Sequence, residues 1–284
     1  MSETARPERA AYRRVEVTYV NRGAHDRDHP STDVAAVEEP LEIRLHGTPF
    51  ATIMRTPGDD RALAAGFLIS ESVIRSSADI GAVEHCRHPD QVQAHNVVDV
   101  YLVGEARGQM QRHLDERRNV LANSSCGLCG RVAIDSIAIH AQRLAPHWSM
   151  RQQVAAELPG ALRSRQAIFA DTGGLHAAGL FTPEGECHGS AEDVGRHNAV
   201  DKVIGRMLLE DRLPLNGYAL AVSGRVSYEI VQKAWLGGLG LICAVSAPTS
   251  LAIDLANEAG ITLLGFARDG GFNVYTHPAR IIGS

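Results

Sequence analysis

The second half of the chain alternates short apolar runs with amphipathic segments of helical period. The apolar runs predict strands at residues 168–170, 175–181, 218–222, 239–245, 261–266 and 273–276. Apolar residues spaced three and four apart predict helices at residues 198–209, 228–236 and 249–259. Strands that alternate with helices of about ten residues are typical of an α/β layer with parallel strands.

The first half is less regular and predicts a small α+β unit. Alternating apolar and polar residues at 41–45 and 50–54 flank a glycine–proline turn, which is the pattern of a hairpin. A helix at 61–69 and a strand at 97–103 follow.

These elements divide the chain into four segments and give the fold class as α/β. The segments are a disordered tail at 1–16, an N-terminal α+β unit at 17–105, a connector at 106–160 with the Cys-x-x-Cys loop, and an α/β domain at 161–284 that we expect to bind a cofactor-like ligand. In the connector we expect a charged stretch at 107–125, a helix at about 131–144, and a break at Pro159-Gly160 that marks the passage into the second half.

Composition narrows the class of protein. The 284 residues are 44% hydrophobic and 21% charged, ordinary values for a globular chain. The chain has no apolar run of about 18 residues and no apolar N-terminal signal, so we expect neither a membrane span nor secretion. Five cysteines argue against a disulfide framework, and cytoplasmic localisation follows. A net charge of −5 gives no support for nucleic-acid binding.

Cys126 and Cys129 form a Cys-x-x-Cys pair framed by glycines. Ser124 and Ser125 are good helix N-caps, and a helix N-terminus together with Arg131 would lower the pKa of a nearby thiol. The pattern therefore favours reactive thiols over two incidental ones.

Three chemistries fit such a pair: a metal site, disulfide exchange and sulfur transfer. Structural zinc needs four ligands, and only Cys187-His188 offers itself as a completing pair. A thioredoxin-like site stands early in a βαβ unit, whereas this pair follows about 120 residues of other material. A sulfur carrier needs a mobile, exposed thiol, which the flanking residues suit. The pair by itself leaves all three open.

Small, hydroxyl and arginine residues follow three predicted strands of the second half. Ligands of open α/β sheets bind outside the carboxyl ends of the strands, helix N-termini attract anions, and arginine grips phosphate. A fourth segment, 192–198, also precedes a helix. Each loop alone also fits ordinary caps and surface ion pairs, but together they predict a nucleotide-like ligand, with Asp193 or Asp269 bonding to its base or ribose. The candidate binding residues are Arg196, His197, Ser223, Arg225, Ser246, Thr249, Phe266, Ala267, Arg268, Asp269, Gly270 and Gly271.

Five sequence motifs together resemble one family, the formate dehydrogenase accessory sulfurtransferases (FdhD). They are Asn-Ser-Ser-Cys-Gly-Leu-Cys-Gly at 123–130, Glu-Asp-Val-Gly-Arg-His-Asn-Ala-Val-Asp-Lys at 192–202, Ser-Gly-Arg-Val-Ser-Tyr-Glu at 223–229, Ser-Ala-Pro-Thr-Ser-Leu-Ala at 246–252, and Gly-Phe-Ala-Arg at 265–268 with Tyr-Thr-His-Pro at 275–278. Their order and spacing extend the resemblance from about residue 38 to 280.

The resemblance implies a sulfurtransferase that carries a persulfide. Such proteins take sulfur from a cysteine desulfurase and pass it to the molybdenum cofactor, as Mo-bis(molybdopterin guanine dinucleotide), before its insertion into formate dehydrogenase. By the same resemblance Cys126 is the carrier and Cys129 assists, and residues 266–271 bind the cofactor. The second domain is then a three-layer, cytidine-deaminase-like α/β domain, and the protein is a homodimer.

Two further expectations concern alternatives. Zinc deaminases carry His-Ala-Glu and a later Pro-Cys-x-x-Cys; here His176-Ala177-Ala178 lacks the glutamate, so neither deaminase chemistry nor a permanent metal is expected. A non-catalytic chaperone that binds the cofactor, with structural or zinc-bound thiols, is the alternative function.

Overall fold

The protein is described by a computed structural model over residues 11–19, 29–86, 94–118, 141–145 and 147–283. Cys126 and Cys129 lie outside the described residues, as do residues 131–140 of the helix predicted at 131–144. Residues 141–145, which were expected to lie in the last turn of that helix and just beyond it, have no regular secondary structure.

A four-stranded sheet forms the core of the N-terminal unit. Its strands are β3 Glu39–Leu45, β4 Thr48–Arg55, β5 Ile80–His85 and β6 Val97–Leu102, in the spatial order β4-β3-β6-β5. Every second side chain of a strand points to the same face, and Leu41, Ile43 and Leu45 are accordingly fully buried. Helix α1, Asp60–Ser70, covers this face. The hairpin, helix and strand predicted for this unit are confirmed.

Two elements of the first half differ from expectation. The charged stretch interpreted as a connector is helical as α2, Gly104–Arg118, because its few apolar residues, Ala106 and Leu114, are buried against the N-terminal sheet. Residues 12–16, expected in a tail, lie in β1, Tyr12–Tyr19, which pairs with β2, His29–Ala36, as an antiparallel hairpin.

The second unit is a mixed sheet with helices on both faces. In the described part of the chain its strands are β8 His176–Phe181, β9 Cys187–Asp193, β10 Ala219–Val222, β11 Leu241–Ala244, β12 Thr262–Arg268 and β13 Gly271–Thr276. The spatial order is β13-β12-β11-β10-β8-β9. The central strands β10, β11 and β12 are parallel, and the others are antiparallel. The predicted parallel layer is thus confirmed for its centre.

Helices complete three layers. One face of the sheet packs against α5 Arg196–Leu209, α6 Tyr228–Gly237 and α7 Ser250–Ala259. The other face packs against α3, Gln152–Arg163. A short parallel pair, β7 Met150–Arg151 with β14 Ile281–Ile282, lies beside α3. The α/β class is confirmed. Within the described residues, no helix is both long and apolar enough to cross a membrane.

The break predicted at Pro159-Gly160 is wrong, because both residues lie inside α3. Proline lacks the N–H that would bond to the carbonyl four residues earlier, here that of Ala155. The thiol of Cys243 on β11 lies 3.7 Å from that carbonyl oxygen and offers it a weak donor instead.

The strand predicted at 168–170 is also wrong. These residues form part of α4, Ala167–Thr172. The Glu192 carboxylate on β9 accepts the N–H groups of Ile168 at 3.0 Å and Phe169 at 2.7 Å. This side chain satisfies the free N–H groups of the first helical turn, a contact that an apolar run of three residues does not reveal.

The two units meet where α1 crosses α5. A Cβ atom on Gly66 would lie 2.0 Å from the Asp201 carbonyl oxygen, and one on Gly205 would lie 1.9 Å from that of Ala62. The helices can approach this closely only because both positions are glycine. Beside the crossing, Lys233 of α6 contacts Asp201 at 2.7 Å, with both side chains buried.

Candidate functional site

One edge of the large sheet collects the loops that carry the candidate residues. β10, β11 and β12 end at this edge because they are parallel, and antiparallel pairing makes β8 begin and β9 end there. The loops are directly linked. Val226 pairs with Pro248, and the N–H of Phe266 donates to the Ser246 carbonyl at 3.2 Å. The edge at which we expected a crevice therefore joins segments distant in sequence.

The loops after β10 and β11 place their four candidates differently. Arg225 is exposed, whereas Ser223 and Ser246 are half-buried. The Ser223 hydroxyl oxygen accepts the Ala177 N–H at 2.8 Å, which leaves its hydroxyl proton to offer to a ligand. Thr249 is the N-cap of α7, its hydroxyl accepting the Ala252 N–H at 3.3 Å, so the cap explains this residue without a ligand.

Arg196 and His197 begin α5 at the same edge. His197 Nε2 lies 3.1 Å from the Ser227 hydroxyl and 3.7 Å from the Glu229 carboxylate, and it thereby links the first turns of α5 and α6. The Nε atom of Arg196 is buried without a hydrogen-bond partner among the described residues. A buried donor of this kind calls for an explanation, and a bound anion would supply one.

The segment Phe266–Gly271 is the end of β12 and its turn into β13. Asp269 and Gly270, with φ of 53° and 78°, form the two-residue turn, and Arg268 pairs with Gly271 across it. Positive φ at both central residues defines a type I′ turn, which favours Asp-Gly. The strand therefore continues two residues beyond its predicted end, and Ala267 turns its side chain into the core.

Phe266 has the most unusual backbone of this segment. Its φ is 52°, in the left-handed region, and the residue is 38% exposed. A bulky residue there is a conformational outlier, and such strain is characteristic of ligand-binding segments. The Arg268 guanidinium lies 5.8 Å from the ring centroid. Together these two side chains present an aromatic face and a positive charge.

Asp193 does not have the role that we predicted for it. We expected Asp193 or Asp269 to bond to a base or ribose. The Asp193 carboxylate is fully buried, and donors within the protein occupy it: Lys202 at 2.7 Å and the N–H of Thr56 at 3.1 Å on Oδ2, and Gly195 and Asn198, both at 2.8 Å, on Oδ1. A carboxylate has about four acceptor positions, so none remains for a ligand. Asp269 stays exposed at the hairpin turn.

His176 belongs to this edge, although we did not select it as a binding residue. It is the first residue of β8, and a Cβ atom on Gly224 would lie 3.4 Å from its Nδ1 and 3.7 Å from the Cβ of Arg196. The signal that would have found it is topological, because a strand antiparallel to β10 must begin where β10 ends. Burial lowers the pKa of His176, and the nearby charges of Arg196 and His197 lower it further.

The electrostatics of the edge are cationic. The imidazole of His197 is the main cause that lowers the pKa of Glu229 to about 2, so this carboxylate is ionised and matched to His197. Arg196, Arg225 and Arg268 have no carboxylate partner within salt-bridge distance among the described residues. The arrangement is suited to an anionic ligand with a planar ring system.

Two other features lie apart from this edge. A cavity of about 620 Å³ is lined by Trp148, Trp235 and Pro214, but by none of the candidate binding residues. The Cys187 thiol, considered as a zinc ligand, lies in β9 at 3.6 Å from the Gly189 carbonyl oxygen. Over the described ranges, no group of three or more His, Cys, Asp or Glu side chains is placed to hold a metal.

Comparison with known proteins decides the relationship. The FdhD/NarQ family matches residues 36–282. The chain belongs to the FdhD/NarQ family. Among its relatives, a protein of Streptomyces avermitilis named sulfur carrier protein FdhD is 48% identical over 254 residues, which cover 88% of this chain and 89% of the relative. A protein of the same name from Saccharolobus solfataricus is 46% identical over 257 residues, covering 89% and 93%.

A solved structure shows the same fold as this FdhD/NarQ chain. It is a crystal structure of a protein from Desulfotalea psychrophila that is described as a formate dehydrogenase accessory protein. The TM-score is 0.75 and the identity 23%, and the match covers 96% of this chain and 100% of the other. The family resemblance drawn from the five motifs is confirmed.

Proposed function

We propose that this protein is a sulfur carrier that serves formate dehydrogenase. It takes sulfane sulfur from a cysteine desulfurase and transfers it to the guanine dinucleotide form of the molybdenum cofactor. Membership of the FdhD/NarQ family and relatives named sulfur carrier proteins support the carrier role. The acceptor is supported by one observation in particular: Arg196 and His197 at the start of α5 and Arg268 at the end of β12 lie at the same edge of the sheet.

The chemistry assigned to the cysteines balances without an external oxidant. The Cys126 thiolate attacks the terminal sulfur of the donor's persulfide; a new S–S bond forms at Cys126, the donor's S–S bond breaks, and the electron pair leaves on the donor thiolate. On delivery, the Cys129 thiolate attacks the Cys126 sulfur. A disulfide forms, and the outer sulfur leaves as sulfide, reduced by the two thiols.

The cofactor would be held by the residues at the sheet edge. The phosphates are suited to Arg196, Arg268 and the hydroxyl proton of Ser223, and the guanine to the exposed ring of Phe266. His197 is held by Ser227 and Glu229 at the start of α6, so the orientation of its ring beside the same ligand is fixed.

Mass spectrometry tests the carrier. After incubation with a cysteine desulfurase and cysteine, we expect the intact protein to gain one sulfur, and Cys126→Ala to lose this gain. Cys86→Ala is the matched control and should keep it. If Cys126→Ala is loaded as well as the wild type, Cys126 is not the carrier.

Calorimetry with GDP tests the acceptor site, because GDP contains the guanine and phosphates of the proposed ligand. We expect Phe266→Ala and Arg268→Ala each to weaken binding by about tenfold, the loss of one stacking or charge-assisted contact. Arg44→Ala is the control, since Arg44 lies on β3 of the N-terminal unit. Equal affinity of all four proteins would contradict the site.

A non-catalytic chaperone is the second candidate, and one observation favours it: Arg196 and His197 at the start of α5 and Arg268 at the end of β12 could hold an anionic ligand without any group transfer. Complementation separates the two functions. The carrier requires that a Cys126→Ser, Cys129→Ser protein fail to yield active formate dehydrogenase in a strain that lacks the native protein. Active enzyme from this variant, together with wild-type GDP affinity, would establish the chaperone.

A further inference from the structure

We infer that Asp193 is the positioning residue of the anion site, which it never touches. Its carboxylate fixes the turn between β9 and α5, and this turn sets where Arg196 and His197 stand. The inference rests on the proposed function, because it concerns how the nucleotide site at the sheet edge is held in shape.

The carboxylate shapes the turn through two bonds on one oxygen. Asp193 Oδ1 accepts the N–H of Gly195 and the side-chain amide of Asn198, both at 2.8 Å. Gly195 is the N-cap residue of α5, so these bonds tie the strand end to the first helical turn. Arg196 and His197 lie between these two positions, so the two bonds restrain their backbone.

Space at Gly195 shows how tightly the turn is closed. A Cβ atom there would lie 2.8 Å from Asn198 Nδ2 and 3.4 Å from Asp193 Oδ1. The Asn198 amide also donates to the Met54 carbonyl at 2.8 Å, which anchors the turn to the N-terminal unit.

The other carboxylate oxygen joins the turn to the N-terminal unit a second time. Asp193 Oδ2 accepts Lys202 Nζ at 2.7 Å and the Thr56 N–H at 3.1 Å. Lys202 also donates to the Thr56 carbonyl at 2.8 Å, and the Val194 N–H donates to the Thr56 hydroxyl at 3.2 Å. Thr56 is therefore bonded through its N–H, its carbonyl and its hydroxyl to a network centred on Asp193.

A second buried ion pair serves as a control that separates a positioning role of Asp193 from a role in stability. Asp201 and Lys233 are a second buried ion pair at 2.7 Å, and Asp201 also accepts the Ser70 hydroxyl at 2.8 Å. Its exposure is 1%, against 0% for Asp193. Both pairs contribute to the junction of the units, but the Asp201 carboxylate makes no hydrogen bond to the 193–197 turn. A role in folding alone predicts the same consequences for the two pairs.

The experiment compares Asp193→Asn with Asp201→Asn in the full chain. Thermal denaturation and GDP calorimetry are measured on each, with calorimetry well below the lower midpoint so that both proteins are folded. We expect both variants to melt earlier than the wild type. Only Asp193→Asn should lose GDP affinity, by about tenfold or more, since displaced contact groups cost at least this much; Asp201→Asn should stay within about twofold.

A milder pair decides the question if Asp193→Asn does not fold. Asn198→Ala removes one bond to Asp193 Oδ1, and Ser70→Ala removes one bond to Asp201. Loss of GDP affinity in Asn198→Ala but not in Ser70→Ala supports the inference. If wild type binds GDP and both Asp193 and Asn198 variants bind it equally well, the inference is overturned while the proposed function stands. If the wild type does not bind GDP, the proposed acceptor site is itself contradicted.

Discussion

Individual thiols of this chain have different environments, and burial decides which can react. Cys243 is 1% exposed in the middle of β11, facing the carbonyl that Pro159 leaves free in α3. Burial raises the pKa of this thiol to about 12. Because only the thiolate is nucleophilic, a thiol with this raised pKa is unreactive at neutral pH. Cys243 therefore acts as a small apolar residue with one weak hydrogen bond, as isolated cysteines commonly do.

Alkylation of the native protein measures this difference. With iodoacetamide at pH 8, we expect Cys243 to remain unmodified over the time in which the half-buried Cys86 and Cys187 react. Peptide mass spectrometry reads each site separately, and modification in denaturant provides the control that Cys243 is chemically competent. If Cys243 in the native protein is labelled as fast as Cys86, the packing around β11 opens readily to solvent.

Glu229 gives a second expectation at this scale, and its sign follows from the pKa. The pKa is about 2 in the folded protein, against 4.5 for an unperturbed glutamate, mainly because of His197. The unfolded chain therefore binds this proton at a higher pH, and Glu229 contributes stability that is lost as the pH falls from 4.5 towards 2.

Urea denaturation of wild type and Glu229→Gln between pH 7 and pH 3 tests this expectation. The wild type should lose more stability than the variant as the pH falls through the window, because only the wild type must take up this proton. The difference should be small, since the site is partly open to solvent. If both proteins lose the same free energy of unfolding as the pH falls, Glu229 does not contribute to acid sensitivity.

At the scale of elements, the crossing of α1 and α5 depends on two glycines. Gly66→Ala and Gly205→Ala place a methyl group about 2 Å from a backbone carbonyl of the other helix, so the helices must separate. We expect each to lower the free energy of unfolding by more than about 2 kcal/mol. Denaturant midpoints measure the effect.

Gly108→Ala is the matched control for the crossing. Gly108 is in α2, and no atom lies within 4 Å of the position that its Cβ would take. The methyl group therefore costs nothing there, and better helix propensity should raise stability by about 0.5–1 kcal/mol. If all three variants change the free energy of unfolding by the same amount, the glycines at the crossing are not needed for the close approach of the helices.

Elements with a strong period were predictable from sequence, and elements that depend on distant partners were not. Helices α5, α6 and α7 and the strands between them follow their apolar pattern. The strand expected at 168–170 is helical because Glu192 caps it from another strand. Helix α2 has a charged sequence, and only its packing through Ala106 and Leu114 shows why it is ordered. Local sequence does not contain these contacts.

The site shows the same division. The strand-end rule found the edge where Ser223, Ser246 and Phe266 meet, because parallel strands must end together. It misassigned Asp193, because the donor from Thr56 comes from 137 positions away. It left out His176, because only the antiparallel direction of β8 brings the start of that strand to the edge.

For the whole molecule, buried charges across the junction couple the two units. Asp193 and Lys202 bond to Thr56, and Ser70 bonds to Asp201. Separating the units would expose the glycine crossing and break the hydrogen bonds that Asp193, Lys202 and Asp201 make with Thr56 and Ser70. We therefore expect a single cooperative unfolding transition.

Two probes test the coupling. Far-ultraviolet circular dichroism reports helices in both units, whereas tryptophan fluorescence reports only Trp148 and Trp235, which lie outside the N-terminal unit. Coincident midpoints in urea are the expected result. A dichroism curve with an additional step that fluorescence lacks would show that the N-terminal unit unfolds by itself.

The bond between Thr56 and Asp193 has a consequence for the order of folding. It spans 137 positions, and closing a loop of that length is entropically costly. Contacts of such high sequence separation form late in folding. During synthesis, Thr56 leaves the ribosome long before Asp193 does, so the anion-facing turn is completed only when most of the chain has emerged. The proposed nucleotide site therefore cannot form on a short nascent chain, and it is complete only when most of the protein has been synthesised.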